Sequence, residues 1–223
     1  HHGEQSLNGA IVGMAQNFVG SNNINLFEPC GQFGTRLQGG KDSASERYIF
    51  THLNKMTRMI FQEADDKVLK YLDDDGFPVE PIHYVPIIPM LLVNGSKGIG
   101  TGFSTDIMCY NVLDIIAYIK NKLTGGIEQI KIRPYYEGFS GSIVALTDQK
   151  YLIKGCYEIT GLNTVRVTEL PVGFWTDDFK EHLEALIEMA NAKPEKVEKV
   201  KEGEADKKEK KDKEKNREFK FVN

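Results

Sequence analysis

Twenty of the 26 residues from Lys193 to Glu218 are charged, eleven basic and nine acidic, and only Val197, Val200 and Ala205 are apolar. Such a stretch buries too little surface to offset the entropy of ordering it. It reads as a solvated, disordered tail, with a lone Glu/Lys surface helix as the alternative. Any packed fold is therefore confined to the residues before it. Residues 1–192 carry 16 basic and 23 acidic groups, a net of −7 against −4 for all 223 residues. That balance argues weakly against a nucleic-acid partner, which attracts a cationic surface. No window approaches the ~18–20 uninterrupted apolar residues of a membrane span, so a membrane protein is excluded. Cys30, Cys109 and Cys156 lie far apart, without metal-ligand spacing, which points to a reducing compartment and away from zinc. The opening His1-His2-Gly3-Glu4 reads as the interior of a longer chain, so a missing targeting segment says nothing of the parent.

Helical periodicity begins at Ser6, a candidate cap, and Leu7, Ala10, Ile11, Met14, Ala15 and Phe18 predict a core helix ending near Gly20. Tyr48–His52 reads as extended, followed by a helical stripe from Leu53 to Ile60. Asp73-Asp74-Asp75-Gly76 between two β-prone runs predicts a hairpin turn, a better fit than a metal site. Pro86 and Pro89 exclude a helix from the apolar run Tyr84–Val93, leaving a sheet edge or irregular buried chain. Asn111 is placed to cap an amphipathic helix to Leu123, with Val112, Ile115, Ile116, Ile119 and Leu123 inward. Segments near Ser142–Thr147, Tyr151–Thr160 and Thr164–Leu170 predict a meander closed by Pro171. Thr176 then caps a last helix with Phe179, Leu183, Leu186 and Ile187 on one face. The class is α+β, with a helical part over residues 1–62, a β-rich part over 63–191 and a charged low-complexity segment over 192–223.

Two glycine-rich segments invite a nucleotide-binding reading, and both fail the spacing test. Around Lys41, a phosphate-cradling G-x-x-x-x-G-K-[ST] would need glycine at Thr35 and a hydroxyl at Asp42. Gly95–Gly102 lacks G-x-G-x-x-G, and no helix follows directly to supply a dipole. Turn chemistry alone is the plain alternative for both. The first segment still has local chemistry. Residues 31–60 hold Arg36, Lys41, Arg47, Lys55 and Arg58 against Asp42 and Glu46, a net of +3 inside an acidic region. Phosphate contacts are local, so this patch matters more than the total. Arg47 directly precedes Tyr48. A neutral phenol is a poor nucleophile and needs cations beside it, and a strand tyrosine is otherwise a core residue.

Several stretches resemble the breakage-and-rejoining core of eukaryotic type IIA DNA topoisomerases. They are His1-His2-Gly3-Glu4, Gln16–Asn23, GQFGTRLQGGKDSASERYIFT (31–51), VEPIHYVPIIPMLLVNGSKGIGTGFST (79–105) and TELP (168–171). The resemblance runs in order to about residue 187. Gly98-Ile99-Gly100-Thr101-Gly102-Phe103 departs from the GIAVG of the bacterial relatives, which points to the eukaryotic or viral branch. It implies that residues 1–62 are the C-terminal part of a winged-helix domain and 63–191 a β-rich, tower-like domain, with the charged tail without a counterpart.

By the same resemblance, Tyr48 is the nucleophile that joins a 5′ phosphate and releases a 3′ hydroxyl, and Arg47 stabilises the phosphoryl transition state. His2 assists at the scissile phosphate, with His1 beside it, although a lone His-His pair would otherwise read as an exposed terminus. Arg36 and Lys41 belong to a basic loop lining the DNA channel, and Ile99 wedges between base pairs and bends the duplex. Glu46 departs mildly from the family, where proline or alanine is common. The resemblance implies Mg²⁺ on a separate toprim domain, ATP on a separate gate domain, no metal ligands in this chain, double-stranded DNA as partner, a homodimer and a nuclear location. The fragment alone is expected to be inactive. The competing reading is a non-catalytic winged-helix DNA-binding module, against which the Arg47-Tyr48 pair argues.

Overall fold

The computed structural model describes residues 3–147 and 150–191. The readings placed on His1, His2 and the segment 192–223 therefore lie outside the described residues. One unit runs to Glu181; of the second, from His182, the described part is helical residues 182–191. No helix of the described residues is long and apolar enough to cross a membrane.

Helix and strand are mixed, as an α+β chain requires. The helices are α1 (Glu4–Ala15), α2 (Thr57–Ile60), α3 (Met90–Val93), α4 (Val112–Leu123) and α5 (Thr176–Asn191). The strands are β1 (Phe27–Cys30), β2 (Phe50–Leu53), β3 (Tyr71–Asp74), β4 (Phe77–Pro81), β5 (Ser96–Gly100), β6 (Phe103–Ile107), β7 (Ser142–Ala145), β8 (Tyr151–Lys154), β9 (Cys156–Gly161) and β10 (Thr164–Glu169). They pair consecutively into five two-stranded antiparallel ribbons. The expected meander is thus two ribbons, β7–β8 and β9–β10. The break falls at Gly155, where a Cβ would lie 2.1 Å from the Glu169 carbonyl oxygen.

The hairpin expected at residues 73–76 forms, with Asp75 at φ 52° and Gly76 at φ 88° turning β3 into β4. Both central residues sit in the left-handed region, which matches the right-handed twist of the flanking strands. Asn111 caps α4 as expected, its Oδ1 accepting from the amides of Leu113 and Asp114. Ile115 is buried, whereas Leu123, expected inward, is exposed at the helix end.

Expectations fail at α1 and in the Pro-interrupted run. α1 starts at Glu4 instead of after Ser6, and it stops at Ala15, because Gln16 turns extended and Asn22 Nδ2 donates to the Gly13 and Gln16 carbonyls. Its apolar face reaches the core only at Ala15, with Leu7 and Met14 exposed. The Pro-interrupted run does hold a helical turn, α3, directly after Pro89, where no amide hydrogen is needed. Much of that run is exposed instead of buried, including Tyr84, Val85, Ile87 and Leu91.

The core is small, built on Ala15, Phe33, Ile60, Val93, Cys109 and Ile115. Side-chain amides stitch it together. Asn23 Nδ2 donates to the carbonyls of Val93 (2.9 Å), Tyr135 (3.0 Å) and Tyr110 (3.3 Å), and its Oδ1 accepts the Glu137 amide at 2.8 Å. Asn94 makes a reciprocal pair with the Ile24 backbone, at 2.9 and 2.8 Å. These bonds join the N-terminal 60 residues to the following ones, as does the Ile87 amide donating to the Ile60 carbonyl. Cys109, buried beside the Asn94 carbonyl, has its thiol pushed up to about 11 by burial.

Candidate nucleic-acid interface and nucleophile

Residues 31–49 form the long connection between β1 and β2, whose register pairs Cys30 with Phe50 at its base. The loop is clamped at several points. Gln16 Nε2, just past α1, donates to the carbonyls of Phe33 (2.9 Å) and Gly40 (3.3 Å). The Asp42 carboxylate accepts from the Thr35 amide (2.8 Å) and hydroxyl (2.6 Å), and these bonds hold it below the usual carboxylate range. Asp42 is thus loop structure at the position where a phosphate-binding loop would carry a hydroxyl.

Three loop glycines are required sterically. Gly34, Gly39 and Gly40 all have positive φ, and a Cβ on them would lie 2.6 Å from the Gly40 backbone, 2.3 Å from the Trp175 ring and 2.4 Å from Gln16 Nε2, respectively. Trp175 also meets Phe18 edge-on at 5.9 Å, and the Asp177 amide donates to the Leu37 carbonyl at 3.0 Å.

The clamped loop ends in a single 3₁₀ turn, Glu46–Tyr48, and not in the strand start read from sequence. The Tyr48 amide donates to the Ser45 carbonyl at 3.0 Å, while its side chain is 74% exposed. The Arg47 guanidinium carbon lies 5.4 Å from the Tyr48 ring centroid, within cation–π range. A presented phenol with a cation against its ring is what a phosphoryl-accepting tyrosine needs.

The five basic side chains of the patch divide into two groups. Arg36 Nη2 sits 2.5 Å from Glu169 Oε1 and donates to the Leu170 carbonyl at 2.8 Å. Arg58 pairs with Asp66 at 2.7 Å. Lys41, Arg47 and Lys55 make no ion pair among the described residues and are exposed. With Arg36 and Arg58 neutralised by partners outside the segment, three cations remain against Asp42 and Glu46, so the net of +3 falls to +1; Arg47 lies in the 3₁₀ turn itself and Lys41 in the loop before it.

Burial by itself would raise the Glu169 carboxyl, but Arg36 and two bonds from Ser140 outweigh it and hold the group below its ordinary range. The Ser140 amide (3.1 Å) and hydroxyl (2.8 Å) both donate to Glu169 Oε2. Glu169 entered the sequence reading only as a letter of the TELP motif. A carboxylate at the end of a β-branched strand was the available signal. Gln16, Thr35, Asp42 and Trp175 gave none, because their partners are set by tertiary packing.

Ile99 lies on the β5–β6 ribbon, paired with Ser104 one step from the Thr101-Gly102 turn, and it is 95% exposed. Phe103, opposite Gly100, is 85% exposed. The glycines here form a hairpin, with Thr101-Gly102 as its turn, in line with the turn chemistry that the sequence left open. Among the described residues no three His, Cys, Asp or Glu side chains converge to hold a metal. Asp73 Oδ1 instead accepts the Gly76 amide at 3.0 Å within its turn.

The family model for the DNA gyrase/topoisomerase IV A subunit matches residues 1–213. The chain is 52% identical over 190 residues to DNA topoisomerase 2 of Arabidopsis thaliana, covering 83% of this chain and 13% of that protein. It is 49% identical over 193 residues to DNA topoisomerase 2 of Acanthamoeba polyphaga mimivirus, covering 86% and 15%. The chain thus spans a small part of the length of the curated relatives it matches. Among solved structures, the Plasmodium falciparum topoisomerase II DNA-binding, cleavage and re-ligation domain superposes with a TM-score of 0.80 at 50% identity, covering 84% of this chain and 25% of that one. With the matched model spanning nearly all of the sequence and relatives of the topoisomerase 2 kind at about half identity, the chain belongs to the type IIA DNA topoisomerase family, as part of its DNA breakage-and-rejoining core.

Proposed function

We propose that the parent protein is a type II DNA topoisomerase that passes one duplex through a transient double-strand break in another, with Tyr48 as the nucleophile. The observation that carries this reading is the exposed Tyr48 ring with Arg47 against it, at the end of a loop clamped from both sides. Tyr48 Oη attacks a DNA phosphorus in line. A tyrosyl–phosphate ester forms with the 5′ phosphate as the phenol gives up its proton, the bond from phosphorus to the 3′ oxygen breaks, and that oxygen takes up a proton and leaves as a hydroxyl. One phosphoester replaces another, so resealing needs no energy input at the chemical step. Arg47 offers a fixed fork to the developing negative charge. His2, with His1 beside it, assists at the scissile phosphate. Lys41 contacts the backbone, and Ile99 wedges between base pairs, an unstacking cost offset by the wider wrapping of bent DNA.

Residues 1–62 then form the end of a winged-helix domain and 63–191 a tower-like domain, followed by a charged tail. ATP and Mg²⁺ are taken up by other domains of a nuclear homodimer; among the described residues no three His, Cys, Asp or Glu side chains converge to hold a metal. The test is Tyr48→Phe in the full-length protein. Protein-linked 5′ DNA ends should vanish while DNA binding persists, and surviving adducts would remove Tyr48 from the role.

A further inference from the structure

The side chain of Arg36 is fixed on both sides of the contact that holds it. Glu169 is 7% exposed and closes β10; its Oε2 accepts two hydrogen bonds from Ser140, while its buried Oε1 accepts no hydrogen bond and has the ion-pair contact with Arg36. Its own backbone is pinned, since the Gly155 backbone lies against its carbonyl so closely that a Cβ has no room. Arg36 is flanked in the loop by two further tethers, Thr35 to Asp42 and Leu37 to the Asp177 amide. Its guanidinium reaches a backbone carbonyl 134 residues away in sequence as well as the carboxylate. A guanidinium bound in this way offers a phosphate only the far field of a neutral pair, and releasing it would strand a buried carboxylate.

We infer that Arg36 is a positioning residue anchored by Glu169, setting the loop that ends in Arg47-Tyr48 against the β9–β10 ribbon instead of contacting DNA. This rests on the topoisomerase reading. Ion pairs of this kind add little net stability, but they fix geometry. Geometry is what an in-line attack requires, since a displacement of about 1 Å can cost ~10²-fold in rate. The pair replaces the DNA contact that the family resemblance suggested for Arg36. It leaves Lys41 as the loop cation directed to phosphate.

The two roles separate in the salt dependence of binding. Removing one phosphate contact lowers the slope of log K against log salt by about 0.9 on duplex DNA. In the full-length protein, Arg36→Gln should keep the wild-type slope and affinity, while Lys41→Gln loses about 0.9 from the slope. Arg36→Gln and Glu169→Gln should both slow formation of the Tyr48–DNA adduct by ~10-fold to 10²-fold at saturating DNA, and Glu169→Asp should recover part of that rate. A slope reduced by about 0.9 in Arg36→Gln, or tighter DNA binding in Glu169→Gln, would make Arg36 a phosphate contact and overturn the inference. So would adduct formation at the wild-type rate in both variants. If Glu169→Gln does not fold, the Arg36→Gln slope still decides. If the wild-type protein forms no Tyr48 adduct, the topoisomerase reading fails while the slopes still report on Arg36.

Discussion

The two glycine-rich segments use the same residue for opposite ends. In the loop of residues 31–49, glycine makes room: Gly34, Gly39 and Gly40 stand where backbone, an indole and an amide approach too closely for any Cβ. In the β5–β6 ribbon nothing lies within 4 Å of a Cβ placed on Gly98 or Gly102, and on Gly100 the nearest atom is at 3.7 Å. There glycine strips the strand around Ile99 and Phe103, leaving both protruding. One segment is gripped by other elements, and it ends in the exposed Tyr48, the proposed nucleophile. The other is bare, as the wedge role proposed for Ile99 requires.

Gly39→Ala is the strongest way to break this contrast. The new methyl would enter a left-handed backbone position at φ 63° and meet the Trp175 ring at 2.3 Å. The conformational cost of ~1–2 kcal/mol adds to an overpacking cost of similar size. A destabilisation of about 3 kcal/mol is expected in thermal or urea unfolding. Trimming the indole in Trp175→Ala should make the two changes less than additive, as neighbours in contact are. Full additivity would mean that Trp175 does not hold the loop.

A smaller effect, and one that depends on pH, is expected at the Arg36–Glu169 grip. The Glu169 carboxyl is held below its ordinary value of 4.5, so its folded form binds a proton less readily than its unfolded form. Its contribution is complete above about pH 4.5 and is lost as pH falls through the depressed folded value. Glu169→Gln should cost on the order of 1–3 kcal/mol near neutral pH, the penalty of an unsatisfied buried partner. The gap to wild type should close in acid. A gap that stays constant from pH 7 to pH 3 would show that the charge is not what matters there.

What could be read from the sequence tracks whether the cause is local. The Asp75-Gly76 turn and the Asn111 cap were legible because each is decided by neighbouring backbone. The end of α1 was not, since Gln16 leaves the helix to bond Phe33 and Gly40, and the apolar period continues past it to Phe18. Tyr48 and Arg47 were found through a motif, but their 3₁₀ turn was not, because it is set by the clamped loop behind it. The +3 patch was the most misleading signal. Counting charges treats five cations alike, and the fold gives two of them to Glu169 and Asp66.

Gly98→Ala gives the smallest change in stability and the sharpest view of the second segment. Gly98 sits opposite Thr105 in an extended strand, without positive φ and with open space where a Cβ would go. Alanine should therefore fold with stability within about 0.5 kcal/mol of wild type, as exposed substitutions away from special features do. The same methyl would narrow the cleared flank beside Ile99. If that flank exists to let the ribbon approach a duplex closely, Gly98→Ala should reduce DNA bending measured by energy transfer across the site, in the same direction as Ile99→Ala. The comparison with Gly39 is then complete in one protein: an alanine that harms folding where glycine admits protein, and one that harms only the complex where glycine admits DNA. Unchanged bending in both ribbon variants would leave the bare hairpin without its wedge role, whatever the fate of Tyr48.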